Sequence, residues 1–240
     1  MNKAKKSIRM PQTIHTWSDY HQKYQESIEN PERFWEEIAE THFWRKKWDK
    51  TLEWKFDGDN APEVKWFLGG KLNITENIFE RNISELQNQV AIYWEPNQPD
   101  EQGTSLTYGQ LFMKVKQFAN ALLHQGIKKG DRVAIYLPMV PELVIAMLAC
   151  ARIGAIHSII FAGFSATSLS DRIIDASCNL VITADGGFRG SKTIPLKKIV
   201  DDALSDCPTV KKTIVLKRTG EEIPMQKGRD AWWHECIEGE

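Results

Sequence analysis

Apolar residues in the middle of this chain come in short, nearly unbroken runs, separated by polar or glycine-rich breakers. Arg132–Leu137, Ala155–Ala162 and Leu180–Ala184 are three such runs. Runs of this length with no polar alternation fit strands covered on both faces, and therefore a parallel sheet. Between the first two lies Pro141–Ile153, apolar almost all round, which predicts a buried helix. Parallel strands need such crossovers, and helices on both faces follow. Thr193–Leu204 predicts another helix, with Ile199, Val200 and Ala203 inward and Pro208 beyond its end. Thr213–Leu216 then supplies a further buried strand. The fold class expected is α/β: a mostly parallel, doubly wound sheet with flanking helices.

Upstream the pattern changes. Val90–Trp94 reads as a strand and Ser105–Thr107 as its short partner, around the polar loop Glu95–Gly103. Thr107 and Gln110 have capping-box spacing, and Leu111, Val115, Phe118 and Leu122 form a helical stripe that Gly126 ends. The first fifty or so residues read as a helical arm. Asn30, Pro31 and Glu32 make a helix start, with Phe34, Trp35, Ile38 and His42 on one face. Six of the nine tryptophans fall in the first third: Trp17, Trp35, Trp44, Trp48, Trp54 and Trp66. Acids interleave them (Glu32, Glu36, Glu37, Glu40, Asp49, Glu53), so these rings are expected to pack, not to stack on single-stranded nucleic acid. Gly69-Gly70-Lys71 lacks the upstream glycine and following hydroxyl of a phosphate loop and reads as a turn. From Lys217 to Glu240 the chain is polar, with no terminal element legible in the pattern.

Composition narrows the function classes. A net charge of −1 gives no global basic field for nucleic acid. Lys3, Lys5, Lys6 and Arg9 are followed by no apolar core, so no secretory signal is read. The longest apolar stretch, Leu143–Phe164, is broken by Arg152, Gly154 and His157, which argues against a membrane span. Cys150, Cys178, Cys207 and Cys236 stand far apart with no CxxC, so neither a zinc site nor a disulfide framework is expected. A cytoplasmic setting follows from that cysteine usage.

Candidate chemistry lies where the predicted strands end. Ligands of open parallel sheets collect outside the carboxyl ends of the strands. Those ends are Leu137-Pro138, Ala162–Ser165 and Asp185–Lys192. The second and third are glycine-rich, which lets backbone approach a ligand. The third adds Arg189 and Lys192, three positions apart, and so suits a phosphate. Spacing alone favours two ordinary strand-to-helix turns with solvated charges over a phosphate site. A nicotinamide site is excluded on the first turn, because Leu137–Pro141 contains no glycine. His157, within a strand, reads as a packed histidine and not as a base.

Four segments carry a family resemblance. Phe118–Ile173, FANALLHQGIKKGDRVAIYLPMVPELVIAMLACARIGAIHSIIFAGFSATSLSDRI, is similar almost position for position to the AMP-forming acetyl-CoA synthetases of the adenylate-forming superfamily. Thr183–Leu204, Asn30–Ala39 and Lys65–Asn73 resemble the same family, and the likeness is to the N-terminal portion of its chain. The resemblance implies an acetate–CoA ligase. Acetate and Mg-ATP give acetyl-adenylate and pyrophosphate, and the CoA thiol then displaces AMP. It implies residues 1–85 as a helical accessory region and 86–240 as the first part of the large adenylate-forming domain. It implies CoA contacts from Gly163, Phe164, Arg189, Gly190, Ser191 and Lys192. Gly163 would leave room for backbone approach and Phe164 would offer an apolar wall. Where the family often has arginine, Lys192 keeps the charge and gives up the bidentate fork. The expected ligands are CoA, ATP with Mg2+, and acetate, with neither nucleic acid nor membrane as a partner. The family's Ser/Thr/Gly-rich loop ending in Pro-Lys-Gly does not occur in these residues, so no catalytic residue is assigned. The ATP and Mg2+ sites are expected in the C-terminal part of the family's chain, and these 240 residues alone are expected not to form acetyl-AMP. A CoA- or nucleotide-binding module without catalysis is the competing expectation.

Overall fold

The computed structural model describes residues 14–58 and 61–239. The chain divides into two compact units between Asn73 and Ile74.

The first unit begins with α1 (Trp17–Glu29) and α2 (Pro31–Ala39). The hydroxyl of Thr16 accepts from the Asp19 amide and Asp19 returns the bond, so α1 opens on a capping box. The helical reading of the arm holds for residues 17–39, its part in residues 1–13 lies outside the described residues, and the unit also contains a hairpin that the pattern did not predict. β1 (Lys50–Lys55) pairs antiparallel with β2 (Glu63–Leu68), and Leu52 lies opposite Trp66. Trp44, Trp48 and Phe67 form an aromatic cluster with ring centroids 4.9–5.5 Å apart. The turn expected at Gly69-Gly70 follows β2, with Gly69 at φ 74°. The hairpin carries no long apolar run, because Leu52 and Trp54 alternate with Glu53 and Lys55, and Val64 and Trp66 with Glu63 and Lys65.

The second unit opens with the short helices α3 (Ile74–Ile78) and α4 (Ile83–Leu86), then the hairpin β3 (Val90–Trp94) and β4 (Thr104–Thr107). Helix α5 (Tyr108–His124) starts at the expected box: Thr107 accepts from the Gln110 amide and Gln110 accepts from that of Thr107. Its stripe Leu111, Val115, Phe118 and Leu122 is buried. Then follow β5 (Arg132–Tyr136), α6 (Pro141–Ile153), β6 (Ile156–Ile159), α7 (Ala166–Ala176) and β7 (Leu180–Ala184). Next come the short strands β8 (Gly187–Arg189) and β9 (Lys192–Ile194), then α8 (Leu196–Leu204) and β10 (Lys212–Leu216). The described chain closes with β11 (Asp230–Trp232) and α9 (Trp233–Ile237).

Five strands form one sheet in the order β11-β10-β7-β5-β6, every neighbouring pair parallel. β5 therefore has the strand that follows it on one side and β7 on the other. The winding reverses between β5 and β7, which makes that gap the switch point where such sheets bind ligands. Helices α5, α6 and α9 pack together, as do α7 and α8. The core lies between these helices and the sheet, with all five residues of β7 buried.

Three sequence expectations change. β6 is not covered on both faces: Ile156 and Ile159 are 56% and 49% exposed, because this strand is the sheet's edge. The helix expected from Thr193 begins at Leu196. Proline disfavours helical backbone in the residue before it, so Pro195 holds Ile194 extended, and Lys192–Ile194 is free to pair as a strand. The polar tail does end in structure. β11 joins the sheet edge, and Trp233 stacks on Phe118 with ring centroids 3.6 Å apart. Among the described residues no helix is long and apolar enough to cross a membrane.

Candidate functional site

A cavity of about 360 Å³ opens at the carboxyl end of the parallel sheet. Each wall comes from the segment that follows a strand. Pro138–Val140 follow β5, Phe161–Gly163 follow β6, Gly187–Arg189 follow β7, and Arg218 follows β10. Trp94, Glu95 and Asn97, from the end of β3 and its loop, complete the lining. Gly163 and Arg189, 26 positions apart in sequence, thus face one space at the switch point.

The cationic segment is a hairpin and not the open loop its glycines suggested. β8 pairs with β9, and Arg189 stands directly opposite Lys192. Opposed residues of an antiparallel pair project from the same face, so a three-residue spacing becomes a side-by-side pair of positive groups. The two-residue loop Gly190-Ser191 needs a positive φ at its first position, and Gly190 supplies φ 58°. Asn97 Nδ2 donates to the Gly190 carbonyl at 2.9 Å and ties the hairpin tip to the loop after β3. Arg189, Gly190, Ser191 and Lys192 are all exposed. No ion pair engages Arg189 or Lys192 among the described residues.

The root of the hairpin is held by one carboxylate. Asp185, 1% exposed, accepts from the backbone amides of Gly186 (2.7 Å), Arg218 (2.8 Å), Thr219 (3.0 Å) and Gly220 (2.7 Å). Burial by itself would raise its pKa; the four amides outweigh that and hold the carboxyl below its ordinary value. A Cβ on Gly186 would sit 3.1 Å from the Ile194 carbonyl oxygen, so a side chain there would require its neighbours to give by a few tenths of an ångström.

After β6 the chain turns through Ala162–Ser165 into α7, whose first turn the Ser165 hydroxyl caps. The buried Tyr136 donates its hydroxyl hydrogen to the Phe164 carbonyl at 2.7 Å and so pins that turn to β5. Gly163 and Ala162 line the cavity, as does Phe161, which is 63% exposed. Phe164 does not: it lies edge-on to Phe161, with the Arg172 guanidinium 4.6 Å from its ring centre. A Cβ on Gly163 would come within 2.5 Å of Phe161 Cε1, so the missing side chain is what seats the Phe161 ring. Of the six candidates, then, Gly163 and Arg189 line the cavity itself. Gly190, Ser191 and Lys192 form the adjoining tip and strand of the hairpin, and Phe164 faces away toward α7.

Sequence reasoning missed Phe161, Trp94 and Arg218. Phe161 fell inside an expected strand. Trp94 likewise ended an expected strand, and Arg218 lies in a segment with no motif. Arg218 stacks between two rings, 5.0 Å from Phe188 and 5.2 Å from Trp94, and forks both terminal nitrogens onto Glu101 at 3.0 Å. Trp94 Nε1 in turn donates to the Met139 carbonyl at 2.8 Å. What results is an apolar basin with a cationic lip. It can receive a flat apolar group against Phe161 and Gly163 and an anion at Arg189.

Comparison with known proteins decides the family. The model described as AMP-binding enzyme matches residues 79–237, more than half of the chain. This chain belongs to the AMP-binding enzyme family. A second model, acetyl-coenzyme A synthetase N-terminus, matches residues 20–78 of this family member. It is 49% identical over 222 residues to an acetyl-coenzyme A synthetase of Desulfatibacillum aliphaticivorans, covering 91% of this chain and 34% of that protein. It is 50% identical over 219 residues to one of Magnetococcus marinus, covering 91% of this chain and 33% of that protein. Its fold is similar to that of the acetoacetyl-CoA synthetase from Streptomyces lividans, with a TM-score of 0.80 and 24% identity, over 93% of this chain and 33% of that one. The AMP-binding-family chain thus spans about a third of the length of the curated relatives it matches.

Proposed function

We propose that this chain carries the coenzyme A end of an AMP-forming acetate–CoA ligase, which converts acetate, ATP and CoA to acetyl-CoA, AMP and pyrophosphate. The observation that supports this reading is convergence. The turn after β6 and the hairpin after β7 bring Gly163 and Arg189 to one cavity, with Lys192 opposite Arg189 in register. CoA joins a polyanionic phosphate end to a flat aromatic base, and the cations suit the one and the Phe161–Gly163 wall the face of the other.

Within that reading Arg189 and Lys192 hold CoA phosphates through charge-assisted hydrogen bonds, which are shorter and stronger than neutral ones. Arg189 serves as the fork and Lys192 as a mobile point charge. Gly163 and the Phe161 ring form a flat wall for the base. The Asp185 nest and the Tyr136 hydroxyl keep the two ligand-bearing turns in place before any ligand arrives, which lowers the ordering cost of binding. CoA supplies the thiol that accepts the acetyl group. No cluster of three metal-ligating side chains occurs among the described residues, and no residue of this chain is assigned to Mg2+ or ATP.

Calorimetric titration of the chain with CoA, 3′-dephospho-CoA and pantetheine tests the reading. CoA is expected to bind most tightly, dephospho-CoA more weakly and pantetheine least, with an affinity for CoA that falls as salt rises. Equal binding of all three, or no CoA binding at millimolar concentration, would overturn it.

A further inference from the structure

Arg218 touches the cavity but is poorly placed to receive an anion. Both terminal nitrogens donate to Glu101, whose carboxylate neutralises the guanidinium, the two ring faces beside it belong to Trp94 and Phe188, and its own amide donates to Asp185. The pair is partly sheltered, with Arg218 18% and Glu101 32% exposed in their side chains. A guanidinium between two aromatic faces, with a bidentate carboxylate on its edge, is held in one orientation.

The segments that meet at this cation are the ones that build the cavity. Glu101 lies in the loop between β3 and β4, and the same loop sends Asn97 to the Gly190 carbonyl at the hairpin tip. Phe188 is the residue before Arg189 on β8. Trp94 is the last residue of β3 and lines both this cavity and a smaller one of about 230 Å³ on the far side of Arg218. Take the guanidinium away and Trp94 and Phe188 lose the cation they both face, Glu101 loses its counter-ion, and the hairpin loses a tether beside those of Asp185 and Asn97.

We infer that Arg218 is a positioning residue: clamped by Glu101 and stacked between Trp94 and Phe188, it fixes the β8–β9 hairpin and thereby the place of Arg189, without itself binding the ligand's phosphate. The assignment rests on the coenzyme A reading for its ligand, and on the structure alone for the clamp.

Two measurements test it together. Hydrogen exchange of peptides spanning 186–195 needs no ligand. R218K and E101Q are both expected to speed exchange there while exchange in β5 and β7 stays as in the wild type. Unchanged exchange in the hairpin overturns the clamp. Calorimetry with CoA then separates positioning from direct contact. R218K keeps the charge and loses the fork and the stacking plane, so it is expected to weaken CoA binding about fivefold. In an R189A background the same change should cost less than about twofold, because a residue that acts through Arg189 is not additive with its loss. E101Q should also weaken binding, with the salt slope unchanged. A Glu101→Gln variant that binds CoA more tightly with a steeper salt slope would make Arg218 an anion ligand and refute the proposal. So would a R218K loss of equal size in both backgrounds. Faster hairpin exchange in variants of a chain that fails to bind CoA at all would sink the coenzyme A reading and leave the clamp standing.

Discussion

Replacing Asp185 by asparagine puts the largest strain on the smallest change. The side chain keeps its shape, but one carboxylate oxygen becomes an NH2 group. In the wild type Oδ1 accepts from Gly186, Arg218 and Thr219, while Oδ2 accepts from Thr219 and Gly220. Asparagine can keep its oxygen at the Oδ1 position. It then points an N–H donor at the amide of Gly220, 2.7 Å away in the wild type. The lost bond to a charged acceptor costs about 1.5–3 kcal/mol. The three amides that remain face a neutral oxygen and hold it roughly half as strongly. Together these give a destabilisation of about 2–4 kcal/mol. At about 2–4 °C per kcal/mol for a chain of this size, the melting temperature should fall by about 5–15 °C. Urea unfolding followed by circular dichroism at pH 7 measures it, and the pH dependence checks the cause. The folded carboxyl lies below its ordinary value. Its stabilisation is therefore complete above the unfolded value of about 3.9 and is lost as pH falls through the folded one. The stability gap between wild type and D185N should accordingly hold from pH 7 down to about pH 5 and narrow as the pH falls through about 4 and below. A variant within about 0.5 kcal/mol of wild type at pH 7, or a gap constant with pH, refutes the account of the nest.

Three further outcomes are expected. Arg189→Ala removes an exposed cation with no ion pair among the described residues, so it should leave the melting temperature unchanged and weaken CoA binding by about 1.5–3 kcal/mol in calorimetry. Lys197→Met should destabilise by about 3 kcal/mol or more in urea. Its ammonium is fully buried against Asp201 at 2.7 Å and Asp230 at 2.9 Å, and Asp230, itself fully buried, would keep Arg229 as its remaining side-chain cation. A pyrophosphate-exchange assay with acetate and ATP should show no acetate-dependent exchange from the 240-residue polypeptide, since it contains no Ser/Thr/Gly-rich loop ending in Pro-Lys-Gly.

How legible each part was depends on the range of the forces behind it. Pro141–Ile153 announces itself as a buried helix because its apolar residues cover every face, and the helix occupies those residues. The Thr107–Gln110 box is a local exchange of two hydrogen bonds, so four residues contain all the information. β7 is fully buried and correspondingly greasy. The Arg189–Lys192 pair was visible as charge, but the hairpin that sets them side by side was not. Its local signals were Gly190-Ser191, which suits a two-residue hairpin loop, and Pro195 holding Ile194 extended. β11 and α9 had none. Three- and five-residue elements are too short to show a period, and Trp233 is ordered by stacking on Phe118, over a hundred positions earlier.

The residues by themselves determined four of the sheet's five strands, the crossover helix between the first two, the two glycine-bearing strand ends and the cations on the second of them. Tertiary structure alone decided the strand order β11-β10-β7-β5-β6, and with it the gap between β5 and β7 where those ends meet. It alone put Phe161 on the cavity wall instead of Phe164, and drew Trp94, Glu101 and Arg218 to the site. The reason is that periodicity and capping act over one or two turns of chain, whereas strand order, ring stacking and ion pairing are settled between segments whose separation no local pattern records.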